Sequence, residues 1–286
     1  KLYLSKIKRT SFSSINHYNK FYLKPSTKYL EYKSYKIYYF WMNICLFSSE
    51  EISLPLSTKD ERGNHLIKIL HKKEGDTFSA GIIGNQAGTA TITKIQNDNI
   101  YFDFVPETDG KKLFPLKMII GFPRPIQLKR LLRDIAALGV SEVHLTGTEL
   151  GEKSYMKSNL AEHENSYKML LDGTVQAAST HIPELIIHKT LSDCIKTITT
   201  SSNTQPLKLA LDNINPTTSL TKALQNNNSQ EIIAAIGSER GWTNKERDFL
   251  EQNGFIRCGM GNRVMRTETA ATVAASIISA NCGWLD

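Results

Sequence analysis

The stretch GMGNRVMRTETA, residues 259–270, places a glycine-rich turn directly before a predicted helix start. Two earlier stretches share this pattern, LALDNINP at residues 209–216 and AIGSERGW at residues 235–242. In each of them Gly, Asn, Asp or Pro directly follows an apolar run. Glycine lets a ligand approach the main chain closely, and unpaired amides and carbonyls at strand ends bind polar ligand edges. One such turn is usually only a turn, but three in order predict a binding site.

The apolar runs around these turns predict an α/β domain, because strand-like runs alternate with helical periodicity. The predicted strands are residues 116–120, 142–145, 207–212 and 232–237. A helix between the first two is predicted by the spacing of Leu128, Leu131, Leu132, Ile135 and Leu138. Gly139 supplies its stop. A last helix is predicted from Thr267 to Ala280, where Glu268 suits the positive end of the helix dipole.

Residues 42–109 indicate a smaller, β-rich domain ahead of the α/β domain. Clusters of Thr, Ile, Phe, Tyr and Val in this segment are broken by Gly and Asn turns. The polar joint PETDGKK, residues 106–112, marks the predicted boundary. The second domain is therefore predicted to span residues 110–286.

Residues 1–41 are predicted to be a non-native or disordered extension, with Met42 as the biological start. The segment carries nine basic residues and one acid, whereas the remainder carries 26 basic and 27 acidic residues. An organellar transit peptide and a basic arm that grips RNA are the alternative interpretations. Since the body is not basic overall, its affinity for RNA must come from local patches.

The cysteines and histidines predict no metal site. Cys45, Cys194, Cys258 and Cys282 form no CxxC pair, and the seven histidines show neither HxH nor HExxH spacing. Free thiols favour a cytoplasmic location. No apolar run approaches the roughly 18 residues of a membrane span. A dinucleotide oxidoreductase is excluded because no GxGxxG turn follows an early strand.

Several of these segments together resemble one known family. The resemblance is to the RsmE family of uridine-N3 methyltransferases. Residues 236–246, IGSERGWTNKE, are similar to the family's segment IGPEGGFS..E. Residues 263–270, RVMRTETA, are similar to its segment LG.RILR.ETA. The resemblance extends from residue 42 to the end of the chain. Three further segments carry it: HLIKILHKKEGD from residue 65, DIAALGV from residue 134 and VQAASTHIPEL from residue 175. The departures are His71, His181, Ser238, Arg240 and the helix entry FPRPIQLK at residues 122–129. They affect RNA contacts more than cofactor binding.

The resemblance implies an α/β fold class, a SPOUT trefoil-knotted methyltransferase domain preceded by a small PUA-like β-barrel that binds RNA. It implies S-adenosylmethionine as the cofactor, bent among three loops at the knot, and a homodimer as the assembly. The implied activity is methylation of N3 of a uridine in 16S ribosomal RNA, that of the small subunit. Methylation of transfer RNA or another RNA position, and an inactive RNA-binding module, are the alternatives.

The resemblance assigns the cofactor to the three loops, with recognition mostly by the main chain. The candidate residues are Leu211, Asp212, Ile236, Gly237, Glu239, Gly241, Met260, Gly261, Val264, Met265, Arg266, Thr267 and Thr269. Because uracil N3 must lose a proton, a general base or a cation that stabilises the ring anion is expected. Arg266 is the candidate cation, since a guanidinium suits a planar anion. Its alternative role is an ion pair with a nearby acid such as Glu239.

Two further sets of charged residues are candidates for substrate contact. Glu239 and Glu268 are the carboxylates that could act as the base or contact the cofactor. Lys129, Arg130 and Arg133 lie on the polar side of the first predicted helix of the α/β domain. This basic cluster predicts either a phosphate contact or a solvated face.

Overall fold

The computed structural model describes residues 43–157, 163–201, 205–225 and 229–286. Its strands are β1 (Cys45–Phe47), β2 (Leu56–Ser57), β3 (Thr77–Ile82), β4 (Ala87–Gln96), β5 (Asn99–Thr108), β6 (Phe114–Gly121), β7 (Val140–Thr146), β8 (Glu184–His188), β9 (Leu207–Leu211), β10 (Thr218–Ser219), β11 (Ile232–Ile236) and β12 (Ile256–Gly259). Its α-helices are α1 (Glu61–Asn64), α2 (Pro125–Ala137), α3 (His163–Gln176), α4 (Leu191–Ser201), α5 (Leu220–Leu224), α6 (Asn244–Gln252) and α7 (Thr267–Asn281). The predicted extension at residues 1–41 and the expected start at Met42 lie outside the described residues.

A seven-stranded parallel sheet forms the larger part of the fold. Its strand order is β10-β12-β9-β11-β6-β7-β8, and every neighbouring pair runs in the same direction. Helices α2, α3, α5 and α7 cover one face, while α4 and α6 cover the other. The α/β prediction is therefore confirmed, and β6, β7, β9 and β11 contain the four predicted strands. β8, β10 and β12 are additional.

Helix α2 shows how the sequence produces this packing. Pro125 stands at its first turn, where a missing amide hydrogen carries no penalty. The apolar residues at helical spacing, Leu128, Leu131, Leu132 and Ile135, are fully buried against the sheet. Burying each of them stabilises the fold by about 1.5–3 kcal/mol. The helix ends as predicted at Gly139, whose φ of 74° lies in the left-handed region.

A five-stranded sheet forms the front of the described chain, in the order β1-β3-β4-β5-β2. It curls as a half-barrel around a core of Phe47, Leu66, Ile92 and Ile100. The predicted polar joint at residues 106–112 is wrong at its start, because β5 continues to Thr108. Pro106 is tolerated there because it pairs with Gly88 at a register shift of β4. The described residues form one compact unit, so the division at residue 110 stays a prediction.

The longest of the described helices, α7, has 15 residues. None of them is both long enough and apolar enough to cross a bilayer.

Candidate functional site

The three polar stretches singled out in the sequence follow β9, β11 and β12. These strands are parallel neighbours, so their carboxyl ends meet at the same edge of the sheet. The loops after them line a cavity of about 220 Å³. The apolar part of the lining consists of Leu211, Ile214, Ile236, Trp242, Met260, Val264, Met265 and Ala270. Such a cavity, with polar main-chain groups at its edges, suits a small ligand that carries a flat ring.

Hydrogen bonds join the three loops to one another. The indole Nε1 of Trp242 donates to the carbonyl of Leu211 at 3.2 Å, which connects the second loop to the first. The hydroxyl of Thr267 donates to the carbonyl of Gly237 at 3.3 Å, which connects the start of α7 to the second loop. The three loops are therefore held in one arrangement by the chain itself.

The first loop turns at Asp212, whose carboxylate is occupied within the protein. Arg247 of α6 donates to it from Nε at 2.5 Å and from Nη2 at 3.4 Å. The amide of Ile214 also donates to the same carboxylate, at 3.0 Å. Asp212 therefore shapes the loop through Arg247 and Ile214, and its amide is bound as well, since it donates to the carbonyl of Cys258 at 3.0 Å.

The second loop is a tight turn over residues 237–241. The amide of Gly241 donates to the carbonyl of Ser238 at 2.8 Å. A methyl group at Gly237 would lie 2.9 Å from the carbonyl carbon of Gly241, so the turn requires glycine there. The Ser238 hydroxyl is buried and has no hydrogen-bond partner among the described residues. Since an unpaired buried hydroxyl is unfavourable, Ser238 is a polar group available to a bound molecule.

The third loop leads from β12 to α7 and carries the site's most exposed residues. Gly261 has a φ of 99°, and a Cβ added there would meet no atom within 4 Å. Val264 is 80% exposed although it lines the cavity. Arg263 lines the cavity as well. This loop therefore forms an open rim that carries Arg263 and, at the start of α7, Arg266.

The structure brings together most of the residues predicted to bind the cofactor. Those that line the cavity are Leu211, Asp212, Ile236, Gly237, Glu239, Gly241, Met260, Gly261, Val264, Met265 and Thr267. Arg266 and Thr269 are exposed and do not line it. The carbonyl of Arg266 accepts the first hydrogen bond of α7, from the amide of Ala270 at 2.8 Å. The other lining residues belong to the three predicted stretches but were not among the individual candidates: Asn213, Ile214, Ser238, Arg240, Trp242, Arg263 and Ala270.

The charged candidates at the rim have partners that the sequence did not reveal. The alternative in which Arg266 pairs with Glu239 is wrong, because Glu239 pairs with Arg124 at 3.2 Å. The Glu239 carboxylate raises the pKa of Arg124. Glu268 is buried in the first turn of α7 and does not line the cavity.

The basic cluster on α2 and the thiol of Cys258 lie outside the cavity lining. In the basic cluster on α2, Arg133 pairs with Asp172 of α3 at 2.9 Å, so this guanidinium is bound within the protein. Lys129 and Arg130 are exposed. Beneath the cavity, burial raises the pKa of the Cys258 thiol to about 11. This thiol is protonated at neutral pH and supplies no nucleophile.

Comparison with known sequences places these features in a family. Residues 110–279 match the model of a family described as an RNA methyltransferase domain. The chain is 42% identical over 250 residues to ribosomal RNA small subunit methyltransferase E of Treponema pallidum, covering 84% of this chain and 91% of that protein. It is 33% identical over 240 residues to methyltransferase E 1 of Borreliella burgdorferi, covering 84% and 98% of the two chains.

Solved structures share the fold. A Legionella pneumophila methyltransferase solved with bound S-adenosylmethionine has a TM-score of 0.67 at 20% identity, covering 84% of this chain and 97% of its own. The small subunit methyltransferase E of Neisseria gonorrhoeae, also solved with S-adenosylmethionine, has a TM-score of 0.67 at 17% identity, covering 84% and 98% of the two chains. The predicted SPOUT-type fold, a knotted α/β domain behind a β-rich front, is confirmed.

Proposed function

The chain belongs to the RsmE-type family of RNA methyltransferases, and we propose that it transfers a methyl group from S-adenosylmethionine to N3 of a uridine in 16S ribosomal RNA. The activity would serve ribosome biogenesis as a base methylation of small-subunit ribosomal RNA. The observation that carries this proposal is the meeting of the three predicted loops around one cavity at the carboxyl edge of the sheet.

The residues around the cavity fit S-adenosylmethionine. Gly241 and Gly261 line the cavity, and a Cβ at either position would meet nothing within 4 Å. The unpaired hydroxyl of Ser238 can hydrogen-bond a polar edge of the ligand. Apolar walls such as Leu211 and Ile236 can cover the faces of an adenine ring.

When it is bound, the cofactor supplies an electrophilic methyl group on a sulfonium. The part of the protein is to hold a uracil ring in line with that methyl group and to exclude water. Removal of the N3 proton leaves negative charge on the ring, which a guanidinium can stabilise. We assign this role to Arg266, with Arg263 on the same rim as a second cation. We assign proton removal to Glu239, which lines the cavity and is part-exposed beside Arg124.

A larger cavity beside the cofactor cavity supports RNA as the substrate. It measures about 1020 Å³ and opens along the same sheet edge, beyond the ends of β6, β7 and β8. Its lining includes the lysines Lys153, Lys157, Lys189 and Lys245, together with Glu149, Glu152 and Glu246. Lysine ammonium groups can contact the phosphates of an RNA strand. Residues 42–286 carry no net positive charge, so binding of RNA requires a local group of lysines such as this one.

We further propose a homodimer in which a second copy covers the rim of the cofactor cavity. Two apolar side chains that line this cavity are exposed, Val264 by 80% and Ile214 by 51%. Exposed apolar side chains grouped in this way favour contact with another protein surface. A molecular mass in solution of two chains is expected from light scattering, and a monomer at all concentrations would contradict the dimer.

The activity is tested with purified protein, S-adenosylmethionine and small ribosomal subunits from a strain that lacks the gene. Nucleoside mass spectrometry of the 16S RNA is expected to show new 3-methyluridine. Methylation of another nucleoside would support the alternative of a different RNA position. Binding of RNA without binding of S-adenosylmethionine in calorimetry would support the alternative of an inactive module.

A further inference from the structure

Two histidines and one cysteine lie close together at the β8 edge of the seven-stranded sheet. His144 lies on β7, His188 ends β8, and Cys194 lies in the first turns of α4. Their exposed fractions are 1%, 6% and 0%, and their ligand-type atoms all lie within 4.8 Å of one another. Nδ1 of His144 and Nε2 of His188 are 3.0 Å apart. The cluster is separate from the cofactor cavity, because none of its residues lines that cavity.

We propose that this cluster binds one zinc ion, with Nδ1 of His144, Nε2 of His188 and Sγ of Cys194 as its ligands. Imidazole and thiolate are the donors that zinc prefers in proteins. Three protein ligands leave one tetrahedral position for a water molecule. Binding displaces the thiol proton of Cys194, which is released to solvent, so the ion is held by a thiolate and two neutral imidazoles.

The surroundings of His144 support a ligand role for its Nδ1. The other ring nitrogen, Nε2, contacts the carboxylate of Glu142 at 3.0 Å. Zinc-binding histidines almost always donate their second ring nitrogen to a carboxylate or carbonyl, which fixes the tautomer and orients the ring. The contact with Glu142 fixes a tautomer of His144 that presents the lone pair of Nδ1 toward His188.

The distances are close to those that zinc requires. Two Zn–N bonds of about 2.0–2.1 Å at the tetrahedral angle separate the nitrogens by about 3.3 Å. The two ring nitrogens therefore need to move apart by only a few tenths of an ångström from 3.0 Å. A Zn–S bond of about 2.3 Å places sulfur about 3.6 Å from each nitrogen. The sulfur of Cys194, which lies within 4.8 Å of both nitrogens, needs to approach them by about 1.2 Å at most.

The charge around the cluster also suits a cation. Lys117 lies between two carboxylates, 3.0 Å from Glu142 and 2.9 Å from Glu231, and all three side chains are largely buried. Asp193 is a further carboxylate close to His188. Carboxylates near the ligands attract a cation.

The sequence spacing did not indicate this site, because its ligands come from three elements. His144 and His188 are 44 residues apart and are brought together by the pairing of β7 with β8. β8 is the edge strand of the sheet, so the ion would fasten an edge strand and α4 to the sheet interior. The role inferred is structural and is independent of methyl transfer.

The test is a titration of chelator-treated full-length protein with Co²⁺, followed by Zn²⁺. One Co²⁺ per chain is expected, with a sulfur-to-cobalt charge-transfer band and tetrahedral d–d bands that Zn²⁺ removes. Cys194→Ala is expected to remove the charge-transfer band, whereas the control Cys282→Ala keeps it. Glu142→Gln is expected to weaken Co²⁺ binding by about 10- to 100-fold.

Several results would overturn the zinc site. These are a wild-type protein without the charge-transfer band, a band that persists in Cys194→Ala, or a band that Cys282→Ala removes. Bands of octahedral cobalt alone would indicate adventitious surface binding and would also refute it. If Cys194→Ala does not fold, His188→Gln replaces it, with loss of tetrahedral binding as the expected result. An unchanged Co²⁺ spectrum in that variant would then decide against the site.

Discussion

Arg247 holds the carboxylate of Asp212 through two hydrogen bonds, at 2.5 and 3.4 Å, and both side chains are almost fully buried. Asp212 is the residue at which the first loop of the cofactor cavity leaves β9. The pair therefore connects α6, which lies outside the cavity, to the cavity wall. A buried ion pair of this kind depends strongly on both partners being present.

Replacing Arg247 by Ala leaves the Asp212 carboxylate buried without its cation, with only the amide of Ile214 still donating to it. The free energy of unfolding is expected to fall by about 3–5 kcal/mol, and affinity for S-adenosylmethionine is expected to fall with it. Chemical denaturation and calorimetry measure the two effects. Lys59→Ala removes an exposed pair with Asp98 and is the control, with a change within about 1 kcal/mol. Equal stability of the two variants would contradict the importance assigned to the buried pair.

Ser238→Ala tests whether the unpaired hydroxyl in the second loop binds the cofactor. One hydrogen bond contributes about 0.5–1.5 kcal/mol, so the dissociation constant for S-adenosylmethionine is expected to rise by about 2- to 12-fold. Stability is expected to stay constant or rise, because no bond to another described residue is removed. Ser279→Ala is a matched control, since its hydroxyl is also buried without a partner in the described part of the chain but lies in α7 away from the cavity. Equal cofactor affinity in both variants would refute the hydrogen bond.

Gly121→Ala tests the packing behind the second loop. A methyl group at Gly121 would lie 2.4 Å from the amide nitrogen of Ser238, so the loop must shift. The dissociation constant for S-adenosylmethionine is expected to rise by about tenfold or more, because a change of about 1.4 kcal/mol in binding free energy already has that effect. Gly63→Ala creates a similar clash, with the carbonyl of Ser57 at 2.1 Å, in the front sheet. That control is expected to lose stability while cofactor affinity in the folded fraction is retained.

Arg266→Ala and Arg263→Ala separate the two cations at the rim. Arg266→Ala is expected to lower kcat by about 10²- to 10³-fold, the typical effect of removing a group that stabilises developing negative charge. Affinity for S-adenosylmethionine is expected to change little, because Arg266 does not line the cofactor cavity. The control is Arg130→Ala on the exposed side of α2. If Arg266→Ala keeps the wild-type kcat and Arg263→Ala loses it, then Arg263 and not Arg266 stabilises the uracil anion.

The double variant Lys189→Ala with Lys245→Ala tests the larger cavity as the RNA path. Removing one ammonium group from an RNA phosphate reduces the slope of log affinity against log salt by about 1, so a reduction of about 2 is expected. Filter binding of the 16S RNA between low and high salt gives this slope. Lys222→Ala, on the opposite face of the sheet, is the control. An unchanged slope in the double variant would exclude these two lysines from the RNA path.

Features determined by neighbouring residues were predictable from the sequence. The helix α2, its stop at Gly139 and the order of the three loops depend on local periodicity and turn residues. β12 was missed because its four residues show too short a pattern to distinguish from a loop. The end of β5 was placed too early, because Pro106 pairs with Gly88, a residue on another strand.

Features determined by tertiary contacts were not predictable. The partner of Glu239 is Arg124, which is more than a hundred residues away along the chain. Trp242 enters the cavity lining because β9 and β11 are neighbours, a relationship that no local pattern expresses. The SPOUT arrangement was accessible through the family resemblance because its three loops keep recognisable motifs. The histidine and cysteine cluster, by contrast, has no such motif.

The hydrogen bonds from Trp242 to Leu211 and from Thr267 to Gly237 have a thermodynamic consequence for ligand capture. They order the walls of the cavity during folding, so the conformational entropy of these segments is given up before any small molecule arrives. The cavity is therefore preorganised, and little of the binding free energy is consumed in rearranging it. Hydrogen exchange at the amide of Gly241 should be slow already in the ligand-free protein.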